Sequence, residues 1–455
     1  MRKTILWTLL AMIVLGGFAA WWLKRPEPPD TRYSGAYSLD DGSFVFIAPR
    51  DGGALRYRTM SGESGVVWPA GVNLFEGGKG WAEREPFYNR FTFEMDAQDR
   101  PVALLWEQTG LEPRRAPIVQ LPQRIAEFES GDLTLRAKLV MPAAPCPCPA
   151  VVIVHGSEAF SAVDFYGEPY IYAANGFAAL AFDKRGTGKS QGEYTQNFRV
   201  LAGDVVAAVK WLRDQPGIDG GRIHLAGFSQ GGWIAPLAAA RDGNIRSVLV
   251  GYGPMVPVTA EDRWGYVYAL QQKGFGEDAI AEADRINDVI SDIFDRRQDR
   301  WDELGKMIDE ARDKPWFSTV KGTDSALGYI TDTKLPLWVV RIGFWWKYGR
   351  TDPPYIDRLY DPVPTLAALD SPSYWIFGGA DSSMPTDWTI EALQKLQKRG
   401  KPVDYLIYPD ADHGILRFET GEDGRRRILG YEPDYYRMQI DWLRRNSMRR
   451  EGDSG

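Results

Sequence analysis

The chain has 455 residues, which is longer than one average domain and predicts two or three. Hydrophobic residues make up 44% of it and charged residues 25%, a balance typical of a globular chain with a sizeable core. The formal net charge is -7, the pI is about 5.3, and no dense basic stripe is present. This charge pattern excludes nucleic acid as an expected partner.

The first element is an uncharged apolar run at residues 5–23, with basic residues on both sides. A run of this length can cross a bilayer as a helix, and Trp21 and Trp22 suit the membrane interface. We expect residues 1–32 to form an uncleaved signal-anchor and a proline-rich linker. The body would then lie outside the cytoplasm, in the periplasm or the extracellular space. A cleaved signal peptide and a secreted protein are the alternative.

Residues 33–118 contain short alternating stretches, such as "SFVFIAP" and "RFTFEMD", between turns rich in Gly and Asp. Alternation of this kind between turn signals predicts a string of β-hairpins. We expect a small all-β domain here, and no residue in it suggests chemistry.

From residue 119 the pattern changes to apolar runs that alternate with amphipathic helical stretches. A hairpin comes first, and continuous apolar runs follow in "AVVIVHG", "FAALAFD", "RIHLAGF", "IRSVLVG", "PSYWIFG" and "VDYLIYP". Such runs are typical of strands buried on both faces. Strands that alternate with helices predict a mostly parallel sheet, so we expect an α/β domain over residues 119–253 and 364–450.

The alternation of strand and helix stops between residues 254 and 363. Residues 278–313 read as one long amphipathic helix, and "PLWVVRIGFWWKYGR" adds an aromatic-rich stretch. We expect a helical cap over the α/β body. Its aromatic side chains are Trp338, Phe344, Trp345 and Trp346. They either line a substrate pocket, or pack the cap and rest on a membrane surface.

The two cysteines, Cys146 and Cys148, lie in a proline-rich turn. A C-x-C pair is not a zinc motif by itself, and the chain has too few histidines to complete one. We expect residues this close to bridge poorly and to be an inert loop pair, and we expect no metal site.

The stretch "LAGFSQGG" has the pattern G-x-S-x-G around Ser229, between an apolar strand and a helical segment. A sharp strand-to-helix turn presents a serine hydroxyl at the carboxyl edge of the sheet, and flanking glycines relieve the crowding. The amide of Gln230 would then point at a developing oxyanion. The pattern predicts that Ser229 is a nucleophile. A glycine-rich turn with an N-cap serine is the alternative.

A serine hydroxyl needs a base, and the chain has three histidines. His224 lies within the strand before Ser229, about 13 Å back from it, and is expected to be a buried core residue. His155 ends another strand and suits the loop that donates a second oxyanion amide. His413 follows the last apolar strand in a loop rich in Asp and Gly, so it is the predicted base.

The acid is expected after the strand that precedes His413. Asp381 follows that strand and two glycines in "YWIFGGADSSMPTD". Its carboxylate would hold the imidazole in the correct tautomer. Asp387, Asp410 and Asp412 are the alternatives, although the last two are more typical of turn residues.

The motifs "VIVHGS", "FDKRGTGKSQG", "LAGFSQGG", "YDPVPTLAALDSPSYWIFGGADSSMP" and "DHGI", in this order, resemble those of the α/β-hydrolase superfamily. More narrowly, the chain resembles bacterial capped serine hydrolases, which include esterases, serine aminopeptidases and prolyl-oligopeptidase-like enzymes. The resemblance covers about residues 122–447. It implies a triad of Ser229, Asp381 and His413, and an oxyanion hole from the backbone of Gln230 and Ser157. It also implies that the "DKRGTGKS" turn braces the site and does not bind phosphate.

These features predict a serine hydrolase that cleaves carboxylic esters through an acyl-enzyme, without metal or cofactor. A serine peptidase or aminopeptidase on short peptides is the first alternative, because a triad does not encode the bond type. A binding protein with an inactive hydrolase fold is the second. Glu158 stands where relatives often have glycine. Its carboxylate either points to solvent or binds the amino group of a peptide.

Overall fold

The computed structural model describes residues 29–295, 298–348, 354–422 and 424–448. The predicted anchor at residues 5–23 lies outside these ranges. In the part of the chain that is described, no helix has the length and apolar character to cross a membrane.

The chain begins with a meander of antiparallel strands that pair in sequence order. They are β1 (Gly35–Ser38), β2 (Phe44–Pro49), β3 (Leu55–Thr59), β4 (Ser64–Gly71), β5 (Leu74–Gly77), β6 (Asn89–Met95), β7 (Pro101–Gln108) and β8 (Arg114–Pro117). A bridge between Tyr37 and Ile118 joins the two edges of the sheet. The meander therefore closes into a small barrel, whose interior holds aromatic residues such as Phe91 and Trp106.

A second sheet has the strand order β16-β15-β14-β13-β11-β12-β10-β9. Its strands are β9 (Gln123–Ser130), β10 (Leu133–Val140), β11 (Cys148–Val154), β12 (Ala178–Phe182), β13 (Ile218–Phe228), β14 (Ser247–Gly251), β15 (Ser373–Gly378) and β16 (Val403–Tyr408). The hairpin β9–β10 and the pair β10–β12 are antiparallel, and the other neighbours are parallel. The carboxyl ends of the parallel strands meet at one edge, where α/β sheets bind ligands.

The helices are α1 (Ala162–Phe165), α2 (Glu168–Ala174), α3 (Phe198–Arg213), α4 (Gly231–Asp242), α5 (Val258–Gln272), α6 (Glu277–Asp295), α7 (Trp301–Ala311), α8 (Phe317–Val320), α9 (Ala326–Asp332), α10 (Leu337–Tyr348), α11 (Val363–Ala368), α12 (Thr386–Gln397) and α13 (Tyr435–Ser447). One face of the second sheet shares a buried cluster with α3, α4 and α12. The other face shares a cluster with α2 and α13. The sheet is therefore buried on both faces, which explains its continuous apolar runs.

The barrel is part of the same body as the second sheet. Ala36 and Phe46 of the barrel belong to the buried cluster that contains α2 and α13. Arg58 on β3 forms an ion pair with Glu168 and donates a hydrogen bond to the Tyr436 hydroxyl, 3.0 Å away. The barrel therefore packs directly against the α/β body.

Helices α5 to α10 form the cap and have their own apolar cluster. The prediction of a single helix over residues 278–313 is wrong, because α6 ends at Asp295 and α7 begins at Trp301. The intervening sequence "RRQDR" contains no apolar residue, whereas α6 and α7 each contribute an apolar face to the common cluster. Ion pairs from Arg300 to Asp292 and Glu303 hold the chain at the break.

The four cap aromatics do not share one environment. Phe344 packs inside the cap, with its ring centroid 4.5 Å from Phe294 and 5.6 Å from Trp301. The other three rings, on α10, are 56–65% exposed; they are Trp338, Trp345 and Trp346. Exposed rings do not enclose a ligand, so the structure favours packing of the cap and a surface position over a substrate pocket.

The expectation that the two cysteines stay unbridged is wrong, since Cys146 and Cys148 form a disulfide. The chain turns between them and brings their Cα atoms to 4.5 Å. This separation lies within the range of about 4.4–6.8 Å that disulfides span.

Candidate active site

Ser229 lies in a strained turn between β13 and α4. Its φ is +50°, in the left-handed region that side chains rarely adopt, and its amide donates to the Gly251 carbonyl at 3.1 Å. A Cβ on Gly227 would lie 2.5 Å from the Gly231 carbonyl oxygen, and one on Gly231 would lie 2.6 Å from that of Val154. Only glycine fits at these two positions, and this packing holds the serine at the sheet edge.

The structure brings the three predicted side chains of the triad together. His413 Nε2 lies 3.1 Å from Ser229 Oγ, and His413 Nδ1 lies 2.9 Å from Asp381 Oδ2. The result is a continuous chain of hydrogen bonds from a carboxylate through an imidazole to a hydroxyl. This arrangement can remove the serine proton during attack on an acyl carbon.

The carboxylate of Asp381 is fixed from two sides. It is 2% exposed, and its Oδ1 accepts hydrogen bonds from the amides of Ser383 and Met384 at 2.8 and 2.9 Å. The remaining oxygen faces His413. The loop therefore leaves the carboxylate one orientation, in which it holds the imidazole.

The glycines before Asp381 allow the acid loop to run against the histidine loop. A Cβ on Gly378 would lie 2.3 Å from the Ala411 carbonyl oxygen, and one on Gly379 would lie 2.5 Å from that of Pro409. The two backbones are thus in direct contact. This contact between the backbones explains why two glycines precede Asp381.

A small sheet that the sequence did not predict carries the histidine loop. It consists of β17 (Ala411–Asp412), β18 (Leu416–Thr420) and β19 (Arg426–Tyr431), paired antiparallel. The turn signal "GEDG" between two alternating stretches could have indicated the hairpin β18–β19.

The alternative acids have other positions or partners. Asp387 and Asp410 are exposed. Asp412 is buried, and its Oδ1 accepts from the His413 amide at 2.8 Å, while its Oδ2 pairs with Arg426 at 2.5 Å. Burial raises the pKa of Asp412, but the hydrogen bond from Arg426 and two backbone amides outweigh burial and lower it. Asp412 is therefore ionised, and its carboxylate holds the histidine loop in place.

Arg426 was not singled out from the sequence. It pairs with Asp412, donates to the Ala380 carbonyl at 2.7 Å and donates to the Tyr268 hydroxyl on cap helix α5. One side chain thus connects the histidine loop, the acid loop and the cap.

The charge balance around His413 favours the protonated imidazole. Burial lowers the pKa of His413, but the negative charge of Asp381 and its hydrogen bond outweigh burial, so the pKa rises above 6.5. Glu261 on α5 acts in the same direction. Burial raises the pKa of Glu261 itself to about 8, against the opposing charge of His413. Glu261 lies on the cap, far from His413 in the sequence, so no local pattern predicted this electrostatic interaction.

Two predicted oxyanion donors are the backbone amides of Gln230 and Ser157. Within the described ranges, neither amide donates a hydrogen bond to a protein acceptor. A Cβ placed on Gly156 would lie 3.4 Å from Ser229 Cβ, so this loop runs directly beside the serine. Both amides are therefore available to a substrate oxygen near Ser229.

Two side chains hold the oxyanion loop from outside. Lys184 Nζ donates to the Gly156 carbonyl at 2.6 Å, and the Tyr194 hydroxyl donates to the Ser157 carbonyl. Burial lowers the pKa of Lys184 to about 8. These contacts fix the two carbonyls of the oxyanion loop.

The turn "DKRGTGKS" braces the site. Asp183 Oδ1 accepts from Ser161 Oγ at 2.7 Å and from the Val163 amide at 3.0 Å. Arg185 pairs with Asp204 at 2.6 Å. These side chains are engaged with the protein itself.

The other two histidines lie away from the reaction. His224 is 0% exposed, with Nδ1 2.7 Å from Ser247 Oγ and Nε2 2.8 Å from Ser447 Oγ. It is the hydrogen-bonded core residue that strand geometry predicts. His155 is buried against the edge of the Phe182 ring, with centroids 5.3 Å apart, and burial lowers its pKa well below 6.5.

Glu158 does not point to solvent, which corrects one of the two expectations for it. Its carboxylate accepts a hydrogen bond from the Tyr166 hydroxyl. A Cβ on Gly156 would lie 2.8 Å from Glu158 Oε2. The carboxylate is therefore turned inwards, beside the oxyanion loop.

Comparison with known proteins identifies a family that matches most of the chain. The model of the family described as X-Pro dipeptidyl-peptidase (S15 family) matches residues 130–414. A thiohydrolase of Aspergillus aculeatus is 34% identical over 136 residues, which are 29% of this chain and 42% of that protein. The chain thus spans about two fifths of that relative.

Two further similarities cover more of the chain. An uncharacterized 31.7 kDa protein from the traX-finO intergenic region of Escherichia coli is 30% identical over 284 residues, which are 58% of this chain and 85% of that protein. Among solved structures, an esterase of Pyrococcus furiosus aligns with a TM-score of 0.44 at 16% identity, over 72% of this chain and 92% of that one.

Proposed function

Because the chain belongs to the X-Pro dipeptidyl-peptidase (S15) family and is a serine hydrolase, we propose that it cleaves carboxylic esters through an acyl-enzyme on Ser229. One observation carries the proposal. The hydrogen-bonded chain from Asp381 through His413 ends on the hydroxyl of a serine in a strained strand-to-helix turn. Such a serine has both a base and a fixed direction of attack.

In the first step, His413 Nε2 takes the proton of Ser229 Oγ while the oxygen bonds to the ester carbonyl carbon. The carbonyl oxygen becomes an oxyanion, which accepts hydrogen bonds from the amides of Gln230 and Ser157. The imidazolium, stabilised by Asp381, then gives its proton to the departing alcohol. This leaves an acyl ester on Ser229.

In the second step, a water molecule repeats this chemistry on the acyl-enzyme. His413 takes a proton from the water, whose oxygen bonds to the acyl carbon. The same two amides hold the second oxyanion. The proton then returns to Ser229 Oγ, and the carboxylic acid leaves.

A peptidase that acts on short peptides is the second candidate, and the description of the matching family favours it. The two candidates share the acyl-enzyme and differ in the leaving group, since an amine needs its proton from His413 more than a phenol does. A panel of p-nitrophenyl acyl esters and aminoacyl p-nitroanilides, including X-Pro anilides, separates them. We expect turnover of esters that disappears in Ser229→Ala. Turnover confined to anilides would establish the peptidase instead.

We also propose that residues 5–23 anchor the chain in a membrane, with the hydrolase body outside the cytoplasm. The length and lack of charge of this segment support the anchor. The disulfide supports an oxidising compartment, where such bonds persist. Cell fractionation tests both points. Recovery as a soluble cytoplasmic protein with both cysteines open to alkylation would contradict the proposal.

A further inference from the structure

A cavity of about 350 Å³ lies between the barrel and the α/β body. The barrel contributes three arginines, two from β3 and one from the turn between β2 and β3. The α/β body contributes residues from the oxyanion loop and from the ends of β13 and β14. Six of the lining residues carry the argument: Arg50, Arg56, Arg58, Glu158, Phe228 and Tyr252.

This cavity adjoins the catalytic residues. Phe228 directly precedes Ser229. The Tyr252 ring stacks on Phe228 and meets the His413 ring edge-on, with centroids 4.9 Å apart. Glu158 Oε2 and Ser229 Cβ both lie within 3.4 Å of the position a Cβ would take on Gly156. Two residues that line the cavity, Glu158 and Phe228, therefore lie next to the serine.

The charged residues of the cavity differ in how they are satisfied. Arg58 pairs with Glu168, and Glu158 accepts from the Tyr166 hydroxyl. In contrast, Arg50 Nη1 and Arg56 Nε are buried and have no hydrogen-bond partner in the described part of the chain.

No carboxylate within the described ranges forms an ion pair with Arg50 or Arg56, although the Arg56 guanidinium lies 5.1 Å from the Trp81 ring. Burial lowers the pKa of Arg56, and the charges of Arg58 and Arg50 lower it further, against the smaller opposing effects of Tyr431 and Glu168. A buried guanidinium donor without an acceptor is costly, so an anion that accepts hydrogen bonds from both arginines would be stabilised here.

We propose that this cavity binds an anionic group of the substrate, a carboxylate, between Arg50 and Arg56, while the scissile carbonyl lies at Ser229. The inference rests on the proposed ester hydrolysis and adds a substrate class to it. Guanidinium groups bind carboxylates with paired, charge-assisted hydrogen bonds. The carboxylates of Asp51, Glu158 and Glu168 also line the cavity, so an anion is favoured only where it contacts the two guanidinium groups.

Two pairs of esters test this preference. One pair places the carboxylate in the acyl half, as mono-p-nitrophenyl glutarate against p-nitrophenyl pentanoate. The other places it in the alcohol half, as 4-acetoxybenzoate against 4-methylphenyl acetate. We expect the wild type to favour the anionic member of one pair in kcat/KM.

Arg50→Gln and Arg56→Gln should each lower that preference about tenfold to a hundredfold, because a charge-assisted hydrogen bond is lost. Arg115→Gln is the matched control, since Arg115 is exposed on β8 and pairs with Glu94. It should keep the wild-type ratio. Ratios that are equal in all four proteins would overturn the proposal.

A binding measurement separates failure of the cavity from failure of ester hydrolysis. Calorimetry should detect glutarate binding to Ser229→Ala, its loss when Arg56→Gln is added, and its retention when Arg115→Gln is added. If the protein is inactive on esters but binds glutarate through Arg56, the ester proposal is wrong and the cavity proposal is supported. A protein active on neutral esters with no Arg56-dependent glutarate binding would remove the cavity proposal alone.

Discussion

Two buried histidines, His224 and His413, have opposite electrostatic environments. Each ring has a hydrogen-bond partner at both nitrogens. Both partners of His224 are serine hydroxyls, and burial, with the charges of Arg246 and Arg222, lowers its pKa to about 3. His413 has one serine and one carboxylate, and its pKa rises although burial acts against this.

The difference teaches that the partner, and not burial, decides what a buried histidine can do. A hydroxyl stabilises neither protonation state strongly, so His224 stays neutral and connects β13 to α13 in the core. The carboxylate of Asp381 stabilises an imidazolium, so His413 can hold a proton for part of a reaction. The position in the sheet differs as well, since only His413 lies at the carboxyl edge.

The largest expected effect follows from replacing His413, the reactive histidine of this pair. His413→Gln should lower kcat on p-nitrophenyl esters by about a millionfold, since the loss of a triad base removes the activation of the serine. Thermal unfolding of the variant should stay close to that of the wild type. A residual activity within tenfold of the wild type would mean that another group is the base.

Asp381→Asn should lower kcat by about ten thousandfold, because the amide would hold the wrong imidazole tautomer. This variant makes the environment of His413 resemble that of His224, with neutral partners on both sides. Asp387→Asn, on an exposed residue of α12, is the matched control and should keep full activity. Equal losses in the two variants would remove Asp381 from its assigned role.

His224→Gln should lower the free energy of unfolding by about 1–3 kcal/mol, because buried hydroxyls lose a hydrogen-bond partner. Its kcat should stay near the wild-type value. Urea unfolding and ester kinetics measure the two quantities on one preparation. A large loss of kcat without loss of stability would show that the two histidines are not as separate as their positions indicate.

Arg426→Gln should lower kcat about tenfold, because the histidine loop loses its ion pair through Asp412 and the contact to Ala380. Substrate binding, read from KM, should change little. Arg427→Gln is the control, since in the described structure the neighbouring Arg427 pairs only with the half-buried Glu83 and the exposed Glu419. A loss of the same size in both variants would point to a general effect on the β18–β19 hairpin.

The smallest effect concerns pH. His413 must be neutral to accept the serine proton, so kcat/KM should fall as pH drops through its pKa, with a midpoint above 6.5. Burial raises the pKa of Glu261 to about 8, so its carboxyl is mostly protonated near that midpoint, and Glu261→Gln should move the midpoint only slightly, to lower pH. A midpoint that moves upward, or a wild-type midpoint below 6.5, would contradict the assigned electrostatics.

Much of the site could be predicted because its signals are local. Ser229 stands in a motif, and His413 and Asp381 each follow an apolar strand in the expected chain order. The prediction of an α/β-hydrolase serine hydrolase is confirmed by the family to which the chain belongs. Parallel strands align their carboxyl ends, so residues after different strands meet without further information.

The remainder depends on contacts between segments far apart in the chain. Arg426, Glu261 and Tyr252 reach the site from a hairpin, a cap helix and a strand end, and no local pattern marks them. The break between α6 and α7 follows from burial of both apolar faces in one cluster, which a helical periodicity cannot report. The disulfide depends on a turn between two cysteines that are separated by one residue.

The central claim is that His413 activates Ser229. Labelling with a fluorophosphonate probe, followed by peptide mass spectrometry, tests it most directly. We expect a covalent adduct on Ser229 in the wild type and in His224→Gln, with no adduct in Ser229→Ala and strongly slowed labelling in His413→Gln. Equal labelling of Ser229→Ala, or no labelling of the wild type, would contradict the account.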